Sequence, residues 1–225
     1  MLLTLDKVLS EAELAHIQQL LAQSDWTSGL LTAGAQAAQV KNNQQLPETA
    51  THLAQLRQTI LTALQREPLF FSAALPLHIL PPYFNCYTGT SNAYGLHTDN
   101  ALRAHQGGYI RADVSATIFL NEPDQYDGGE LVISDTYGEH AVKLAAGSMV
   151  IYPSSSVHEV RPVTRGARLA CFMFMQSMVR SAEQRRLLFD MDMQLLSLRQ
   201  QIGDTPEVVR LTGIYHNLLR CWGEN

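Results

Sequence analysis

The hydrophobic positions in the first part of the chain recur with a helical period. Ser10 and Glu13 have the spacing of a capping box, and the apolar residues that follow at intervals of three and four predict an amphipathic helix. A similar pattern predicts a second helix over about residues 49–66. Residues 26–47, which lie between the two, have no clear period and are interpreted as a surface loop.

From about residue 77 the pattern changes to short apolar runs separated by turn residues. Gly128 and Gly129 mark one of these turns, which we interpret as a hairpin that needs positive φ. Many short strands at near-regular spacing favour a β-sandwich or barrel over alternating βαβ units. The predicted strands contain LHIL, YFNCY, VSATIFL, ELVIS, HAVKL, SMVIYP, VHEVRP and RLACFMFM.

Helical spacing returns near the end of the chain. Residues 181–201 predict one helix, and Thr205 with Pro206 at the first turn begins another. The predicted organisation is therefore a domain over residues 1–178 and a helical extension over 179–225. The apolar face of the extension either packs on the sheets or pairs two chains, and we expect a homodimer through it.

Composition excludes several classes of function. The 225 residues are 46% hydrophobic and carry a net charge of -5, which is typical of a globular protein and argues against nucleic-acid binding. We expect no secretory signal and no membrane span. The three cysteines, Cys86, Cys171 and Cys221, lack metal-binding spacing, so we expect reduced thiols and a cytoplasmic location.

A histidine and a carboxylate separated by one residue stand out as candidate metal ligands. His97 and Asp99 form this pair, but a chain with eight histidines and 21 carboxylates holds roughly 0.75 such pairs by chance. The pair therefore needs a partner, and His158 in a later predicted strand is the best candidate. Two imidazoles and one carboxylate form the facial triad that holds non-haem Fe(II) and leaves positions open.

Arg168, ten residues after His158, makes the set more specific. Fe(II) with one carboxylate ligand carries a net charge near +1, so a bound 2-oxo diacid would need one further cation for neutrality. A guanidinium also presents a planar fork to a carboxylate. Arg161 and Arg165 are interpreted as surface residues.

Other residues compete with this set or extend it. His105 and His140 are rival ligands, and the polar stretch 101–113 around His105 is either a mobile lid or a solvated loop. Asn85 and Tyr87 share one face of a predicted strand. Asn85 either contacts a cosubstrate or satisfies neighbouring backbone groups.

The quoted motifs resemble those of a known family. NCYTGTSNAYGLHTDN, YDGGEL (126–131) and HEVRPV (158–163) are similar to segments of the Fe(II)/2-oxoglutarate-dependent dioxygenases, within the prolyl-4-hydroxylase-like group. This likeness covers about residues 78–176. Nearly the whole chain, including LTGIYHNLLRCW, resembles the bacterial PKHD-type (PiuC-like) hydroxylases, which are associated with iron uptake.

The resemblance implies a fold, a reaction and residue roles. The fold is a double-stranded β-helix, or jelly roll, flanked by N-terminal helices and followed by a helical extension. The implied reaction hydroxylates a small-molecule or peptidyl substrate while 2-oxoglutarate becomes succinate and CO2, with Fe(II), O2 and a possible need for ascorbate. His97, Asp99 and His158 would bind iron. Arg168 and Tyr87 would bind 2-oxoglutarate.

One residue departs from the family pattern. Phe119 stands where some relatives carry a second tyrosine for the cosubstrate, and a phenyl ring cannot donate a hydrogen bond.

Two other classes of function compete with the oxygenase. A zinc hydrolase could use the same ligands, but Glu159, the nearest candidate base, should point away from His158. A non-catalytic jelly-roll iron-binding or sensing module would not need Arg168.

Overall fold

The computed structural model of the protein describes residues 1–32 and 36–224. Two antiparallel β-sheets share one apolar cluster, to which each sheet contributes buried side chains. The larger sheet has eight strands and the smaller has five. Helices lie before and after the main strands in the chain, so the predicted jelly roll with flanking helices is confirmed.

The larger sheet combines four longer, mostly buried strands with four short ones. All six residues of Val114–Phe119 are buried, and this strand lies between two strands that come later in the chain, Met149–Pro153 and Ala167–Ser177. In order across the sheet, the strands are β1 (Leu3–Leu5), β14 (Met149–Pro153), β10 (Val114–Phe119), β17 (Ala167–Ser177), β6 (Tyr83–Thr88), β4 (Gln44–Gln45) and β2 (Thr27–Ser28), and β5 (Pro76–Ile79) also pairs with β17.

The smaller sheet and two strand pairs complete the β-structure of the described residues. The smaller sheet has the order β13 (Gly138–Val142), β12 (Leu131–Asp135), β15 (Val157–Val160), β7 (Ala93–His97) and β3 (Lys41–Asn42). The two separate pairs are β8 (Leu102–His105) with β9 (Gly108–Arg111), and β11 (Asp127–Gly128) with β16 (Val163–Arg165).

Alternation along the strands of the larger sheet separates a core face from a cavity face. Phe84 of β6, with Cys171 and Met173 of β17, belongs to the main apolar core, which also contains buried residues of the N-terminal helices. Asn85 and Tyr87, the alternate residues of β6, face the opposite side and line a cavity. The period of two predicted this division correctly for β6.

The N-terminal helices follow from local signals. Helix α1 (Glu11–Ala22) begins with the predicted capping box, in which Ser10 and Glu13 each accept a hydrogen bond from the other's backbone N–H. Helix α2 (Leu53–Gln65) starts a few residues later than predicted. A short helix, α3 (Pro68–Ala74), was not predicted; proline stands at its first turn.

The interpretation of residues 26–47 as a surface loop is wrong for most of that segment. Strands β2 and β4 extend the larger sheet, and β3 pairs with β7 in the smaller sheet, so the segment joins both sheets. Residues 33–35 lie outside the described part of the chain. Lys41 and Asn43 are buried, although a surface loop would expose both side chains.

The Gly-Gly pair has the expected conformation but a different place in the sheet. Gly128 and Gly129 both have positive φ, of 73° and 70°. They do not form a hairpin turn: Gly128 ends β11, which pairs with β16, and Gly129 leads on to β12, which pairs with β13 and β15. A Cβ at Gly128 would stand 2.0 Å from the carbonyl oxygen of Pro162, so this close approach requires glycine.

Two helices end the described chain. Helix α4 (Ala182–Ile202) and helix α5 (Pro206–Trp222) share an apolar cluster that contains Leu75 and Leu188. Arg185, 5% exposed, donates hydrogen bonds to the carbonyl oxygens of Val179 and Arg180 and ties α4 to the segment that joins it to β17. None of the helices in the described residues has the length and hydropathy that crossing a bilayer requires.

Candidate active site

A cavity of about 580 Å³, including its open mouth, lies between the two sheets. The structure brings together in its lining all six residues that the sequence analysis selected, namely Asn85, Tyr87, His97, Asp99, His158 and Arg168.

Three of these residues form a cluster that could hold a metal ion. Strand β7 ends at His97, Asp99 follows two residues later, and β15 pairs with β7 so that His158 lies opposite His97. One ligand atom from each residue lies within 4.8 Å of the others. Both imidazoles are buried, and the Asp99 side chain is only 8% exposed. Two imidazoles and one carboxylate on one side of a cavity suit Fe(II) with open coordination positions.

Backbone carbonyls fix the tautomers of both histidines. His97 Nδ1 lies 2.8 Å from the carbonyl oxygen of Gly95, and His158 Nδ1 lies 3.0 Å from that of Ser156. A carbonyl oxygen can only accept, so each Nδ1 carries the proton and donates it. Each Nε2 therefore keeps a lone pair for a metal.

Burial keeps the first histidine neutral. Desolvation, and next the charge that His158 can carry, lower the pKa of His97, so the neutral form that binds metals predominates at pH 7. The Tyr94 ring stacks on the His97 imidazole at a centroid distance of 3.6 Å and holds its plane. These contacts fix the tautomer and the plane of the His97 ring in a form that can bind a metal.

The carboxylate is oriented by a serine pair. Ser115 Oγ donates a hydrogen bond of 2.7 Å to Asp99 Oδ2, and Ser115 Oγ also lies 2.7 Å from Ser154 Oγ. Asp99 Oδ1 lies 3.6 Å from Nη2 of Arg103. The orientation of Asp99 therefore depends on residues from three different parts of the chain.

Arg168 lies in the same cavity with no carboxylate beside it. It is 1% exposed, and among the described residues no acidic side chain forms an ion pair with it. Its Nε has no hydrogen-bond partner there. A buried guanidinium without an anion is costly, so the site fits an anionic ligand that would supply the missing charge.

Aromatic rings surround this guanidinium. Its carbon atom lies 5.2 Å from the Tyr87 ring centroid and 5.1 Å from that of Phe119. Phe119 therefore lies beside Arg168, and it offers only its ring. Tyr126 was not predicted, and its buried hydroxyl lies beside the Arg168 guanidinium. Burial raises the pKa of Tyr87 and of Tyr126, so both phenols stay protonated and can donate.

The rival histidines stand outside the cluster. Among the described residues, one group of side chains could hold a metal ion, and it contains neither His105 nor His140. His140 is exposed, as predicted, and lies beside Asp135. The stretch 101–113 contains the β8–β9 pair, so it is more regular than the predicted loop, and its mobility stays a prediction.

Three charged residues outside the cavity have the positions that the sequence analysis predicted for them. Arg165 pairs with Asp127 at the surface, and Arg161 is about half exposed. Glu159 pairs with Arg161, away from the cavity, and Asp99 is the only carboxylate in the described cavity lining. A hydrolase would lack a general base there.

Two cations of the cavity were missed by the sequence analysis. Lys41 comes from the segment interpreted as a surface loop, and Arg103 comes from β8. A signal for Lys41 was present, because it is the only charged residue between Asp25 and Glu48. The phenylalanines of CFMFM, interpreted as core, line the cavity; Cys171 is in the core, and Met173 belongs to both the core and the cavity lining.

Comparison with known proteins gives the family. The model for the 2OG-Fe(II) oxygenase superfamily matches residues 82–176, and the model for the PKHD-type hydroxylase C-terminal domain matches residues 183–224. A PKHD-type hydroxylase from Azoarcus sp. is 66% identical over 226 residues, and one from Nitrosomonas europaea is 63% identical over 227 residues. Each alignment covers 100% of both chains.

Solved structures share the fold at much lower identity. A prolyl hydroxylase from Trichoplax adhaerens in complex with a hypoxia inducible factor peptide fragment superimposes with a TM-score of 0.58 at 14% identity, covering 83% of this chain and 86% of that one. HygX from Streptomyces hygroscopicus, with nickel, 2-oxoglutarate and hygromycin B bound, gives 0.52 at 16% identity, covering 79% and 84%.

The full-length identity to curated relatives decides between the three functions that the sequence allowed. It favours the oxygenase over a zinc hydrolase and over a non-catalytic binding module. The chain belongs to the PKHD-type hydroxylases, enzymes of the 2OG-Fe(II) oxygenase superfamily that depend on Fe(II), 2-oxoglutarate and O2.

Proposed function

We propose that His97, Asp99 and His158 ligate the Fe(II) and that Arg168 binds the distal carboxylate of 2-oxoglutarate. The observation that carries this proposal is the cluster of three ligand atoms within 4.8 Å, in one cavity with a buried arginine that has no carboxylate partner among the described residues. When bound, the iron supplies the redox chemistry by which 2-oxoglutarate and O2 give succinate, CO2 and a hydroxylated substrate.

Charge balance supports the pairing of this triad with this arginine. One Fe(II), the Asp99 carboxylate, the Arg168 guanidinium and a doubly charged 2-oxoglutarate sum to zero. A neutral set of this kind lowers the cost of excluding water from the cavity. Arg168 also holds the cosubstrate in one orientation, because its fork can bind both oxygens of the distal carboxylate.

Tyr87 and Asn85 assist in binding the cosubstrate in this proposal. Asn85 Nδ2 donates to Tyr87 Oη at 3.4 Å, and this leaves the Tyr87 proton available for a ligand in the cavity. Asn85 Oδ1 is buried without a hydrogen-bond partner in the described structure. Both groups lie on the cavity face of β6, whose register places Tyr87 opposite Arg168 of β17.

Iron binding tests the ligand assignment. Wild-type protein titrated anaerobically with Fe(II) should bind one equivalent, and His158→Ala should lose most of that affinity. His140→Ala, which removes an exposed histidine outside the cluster, is the matched control and should bind like the wild type. Unchanged stoichiometry and affinity in His158→Ala would refute the triad, and His105 would then be the first replacement to test.

The substrate and the reductant belong to the same proposal. The substrate is a small molecule or a peptidyl side chain, and ascorbate sustains turnover as in the family that the sequence resembles. A link to iron uptake rests on that resemblance alone. Screening cell-extract fractions for stimulation of 2-oxoglutarate turnover would identify the substrate class.

The domain division and assembly are proposed on separate grounds. Residues 1–178 form the catalytic unit, and residues 179–225 form an accessory helical unit, as the two matched family models suggest. Helices α4 and α5 expose apolar side chains, including Leu187 at 59% and Ile214 at 51%, which support pairing of two chains. Light scattering should give the mass of a dimer; a monomer at micromolar concentration would remove this assembly.

The three cysteines Cys86, Cys171 and Cys221 are free thiols, which is consistent with a reducing, cytoplasmic location. Expression of a fluorescent fusion in a bacterium and fractionation of the cells would test this location.

A further inference from the structure

Two cationic side chains of the cavity have no role in the proposed function. Lys41 of β3 is 7% exposed, and the Arg103 side chain of β8 is 17% exposed. Both line the cavity that holds the triad and Arg168. Lysine and arginine are seldom buried to this extent unless an anion or a functional ligand accompanies them.

Aromatic rings hold both cations beside the proposed iron ligands. Lys41 Nζ lies 5.3 Å from the centroid of Tyr94, the ring that stacks on His97, and donates a hydrogen bond to Gln45. The Arg103 guanidinium lies 3.7 Å from the centroid of Phe174. The Phe174 ring positions the Arg103 guanidinium without neutralising it, because the ring carries no net charge.

Arg103 has unsatisfied hydrogen-bonding capacity in the cavity. Its Nε is buried and has no partner among the described residues. The only carboxylate that it meets there is Asp99, at 3.6 Å, and that carboxylate is already counted as an iron ligand. The guanidinium can therefore donate hydrogen bonds to a second anion and keep its contact with Asp99.

Arg103 adds a positive charge to a site whose other charges balance. Iron, Asp99, Arg168 and 2-oxoglutarate sum to zero, so Arg103 adds a positive charge to a largely desolvated space that Lys41 also lines. Burial, and next the Arg103 charge, lower the pKa of Lys41 to about 8, so this amine is still mostly protonated at pH 7. Excess buried charge is expensive, and an incoming anion would remove that cost.

We propose that Lys41 and Arg103 form a binding site for an oxyanion of the substrate, so that the enzyme hydroxylates a carboxylate- or phosphate-bearing compound or side chain. This inference rests on the proposed function of the triad and Arg168. An oxygen that accepts a hydrogen bond from Arg103 Nη2 at about 2.9 Å lies within roughly 6.5 Å of Asp99 Oδ1. The oxidised carbon therefore lies only a few bonds from the oxyanion.

Relaxation of small probes by Mn(II) tests the site without turnover. The protein is loaded with Mn(II) in place of Fe(II) and saturated with 2-oxoglutarate, which fills the Arg168 site. Proton relaxation of N-acetylglycine, its neutral amide N-acetylglycinamide, and ethyl phosphate then reports binding near the metal. We expect N-acetylglycine or ethyl phosphate, or both, to bind at least about ten times more tightly than the amide. The tighter of the two anions identifies the source of the oxyanion.

Variants assign the preference to the two cations. Lys41→Met combined with Arg103→Met should abolish the preference for the anion, whereas Arg161→Gln, which alters a half-exposed arginine outside the cavity, should preserve it. Should the double variant fail to bind Mn(II), Arg103→Met alone should reduce the preference several-fold.

Two results would overturn the inference. Either equal binding of both anions and the amide by the wild type, or an undiminished preference in the variants, would show that the cations do not recognise substrate. Failure of the wild type to bind Mn(II) or 2-oxoglutarate is seen before any probe is added. That result would refute the proposed function first and this inference with it.

Discussion

Replacing Arg168 with alanine should weaken 2-oxoglutarate binding while leaving iron in place. The guanidinium is 1% exposed and has no acidic partner among the described residues, so little solvent screens its interaction with a carboxylate. Charge-assisted bidentate contacts of this kind are worth about 2–4 kcal/mol, which corresponds to an affinity loss of roughly thirty-fold to a thousand-fold. Arg168→Lys should recover part of the loss through charge, but not the two-oxygen geometry.

The metal-to-ligand charge-transfer absorbance of the Fe(II) protein measures this affinity directly during an anaerobic titration with 2-oxoglutarate. Arg165→Ala is the matched control, because Arg165 lies three residues earlier, is 58% exposed and pairs with Asp127 at the surface. The control should bind 2-oxoglutarate like the wild type. Equal affinities for wild type and Arg168→Ala would refute the assignment of the cosubstrate site.

Three further predictions concern the support of the site and of the fold. Ser115→Ala should lower Fe(II) affinity about tenfold in a competition titration with a chelator, because the hydroxyl that orients the carboxylate ligand is lost; an unchanged affinity would contradict this. Arg66 holds the pKa of Glu13 at about 2, below its ordinary 4.5, so the stabilisation from Glu13 is complete above about pH 5 and is lost as the pH falls towards 2. Wild type should therefore exceed Glu13→Gln in urea midpoint at pH 7, with a gap that narrows at pH 3; a constant gap would argue against the pair. Gly128→Ala should cost at least about 2 kcal/mol because its Cβ meets a carbonyl oxygen at 2.0 Å, whereas Gly107→Ala, with similar φ and open space, should cost only about 1 kcal/mol, and equal urea midpoints would refute the steric argument.

Strands and helices with strong local signals could be predicted from the sequence. The alternation in YFNCY placed Asn85 and Tyr87 on one face, and the structure places both in the cavity. The capping box at Ser10 located the start of α1. These signals are local, since a strand or helix of ordinary length carries its own period and its own boundary residues.

The part that could not be predicted depends on pairing between distant segments. Residues 26–47 have no period, yet Lys41 pairs with Tyr94 and Gln44 pairs with Cys86, contacts that span more than 40 residues of sequence. Pairing with the edges of existing sheets gives these short strands their structure, so propensity could not indicate them. Lys41 entered the cavity by this route and was missed.

The positioning of Arg103 has a related cause. Its side chain reaches the triad because β8 pairs with β9 and the guanidinium packs on Phe174 of a strand far along the chain. The sequence around it reads as a polar, glycine-containing stretch, with nothing to distinguish Arg103 from a solvated arginine. Only the packed structure shows that it shares the cavity with Asp99.

A crystal structure of the protein with Mn(II) and 2-oxoglutarate would test the central claim most directly. Anomalous scattering should place one metal at bonding distance from His97, Asp99 and His158, and the distal carboxylate of 2-oxoglutarate should lie against the Arg168 guanidinium. A metal bound elsewhere, for example at His105, or a distal carboxylate held by Lys41 and Arg103 with Arg168 left unpaired, would contradict the account.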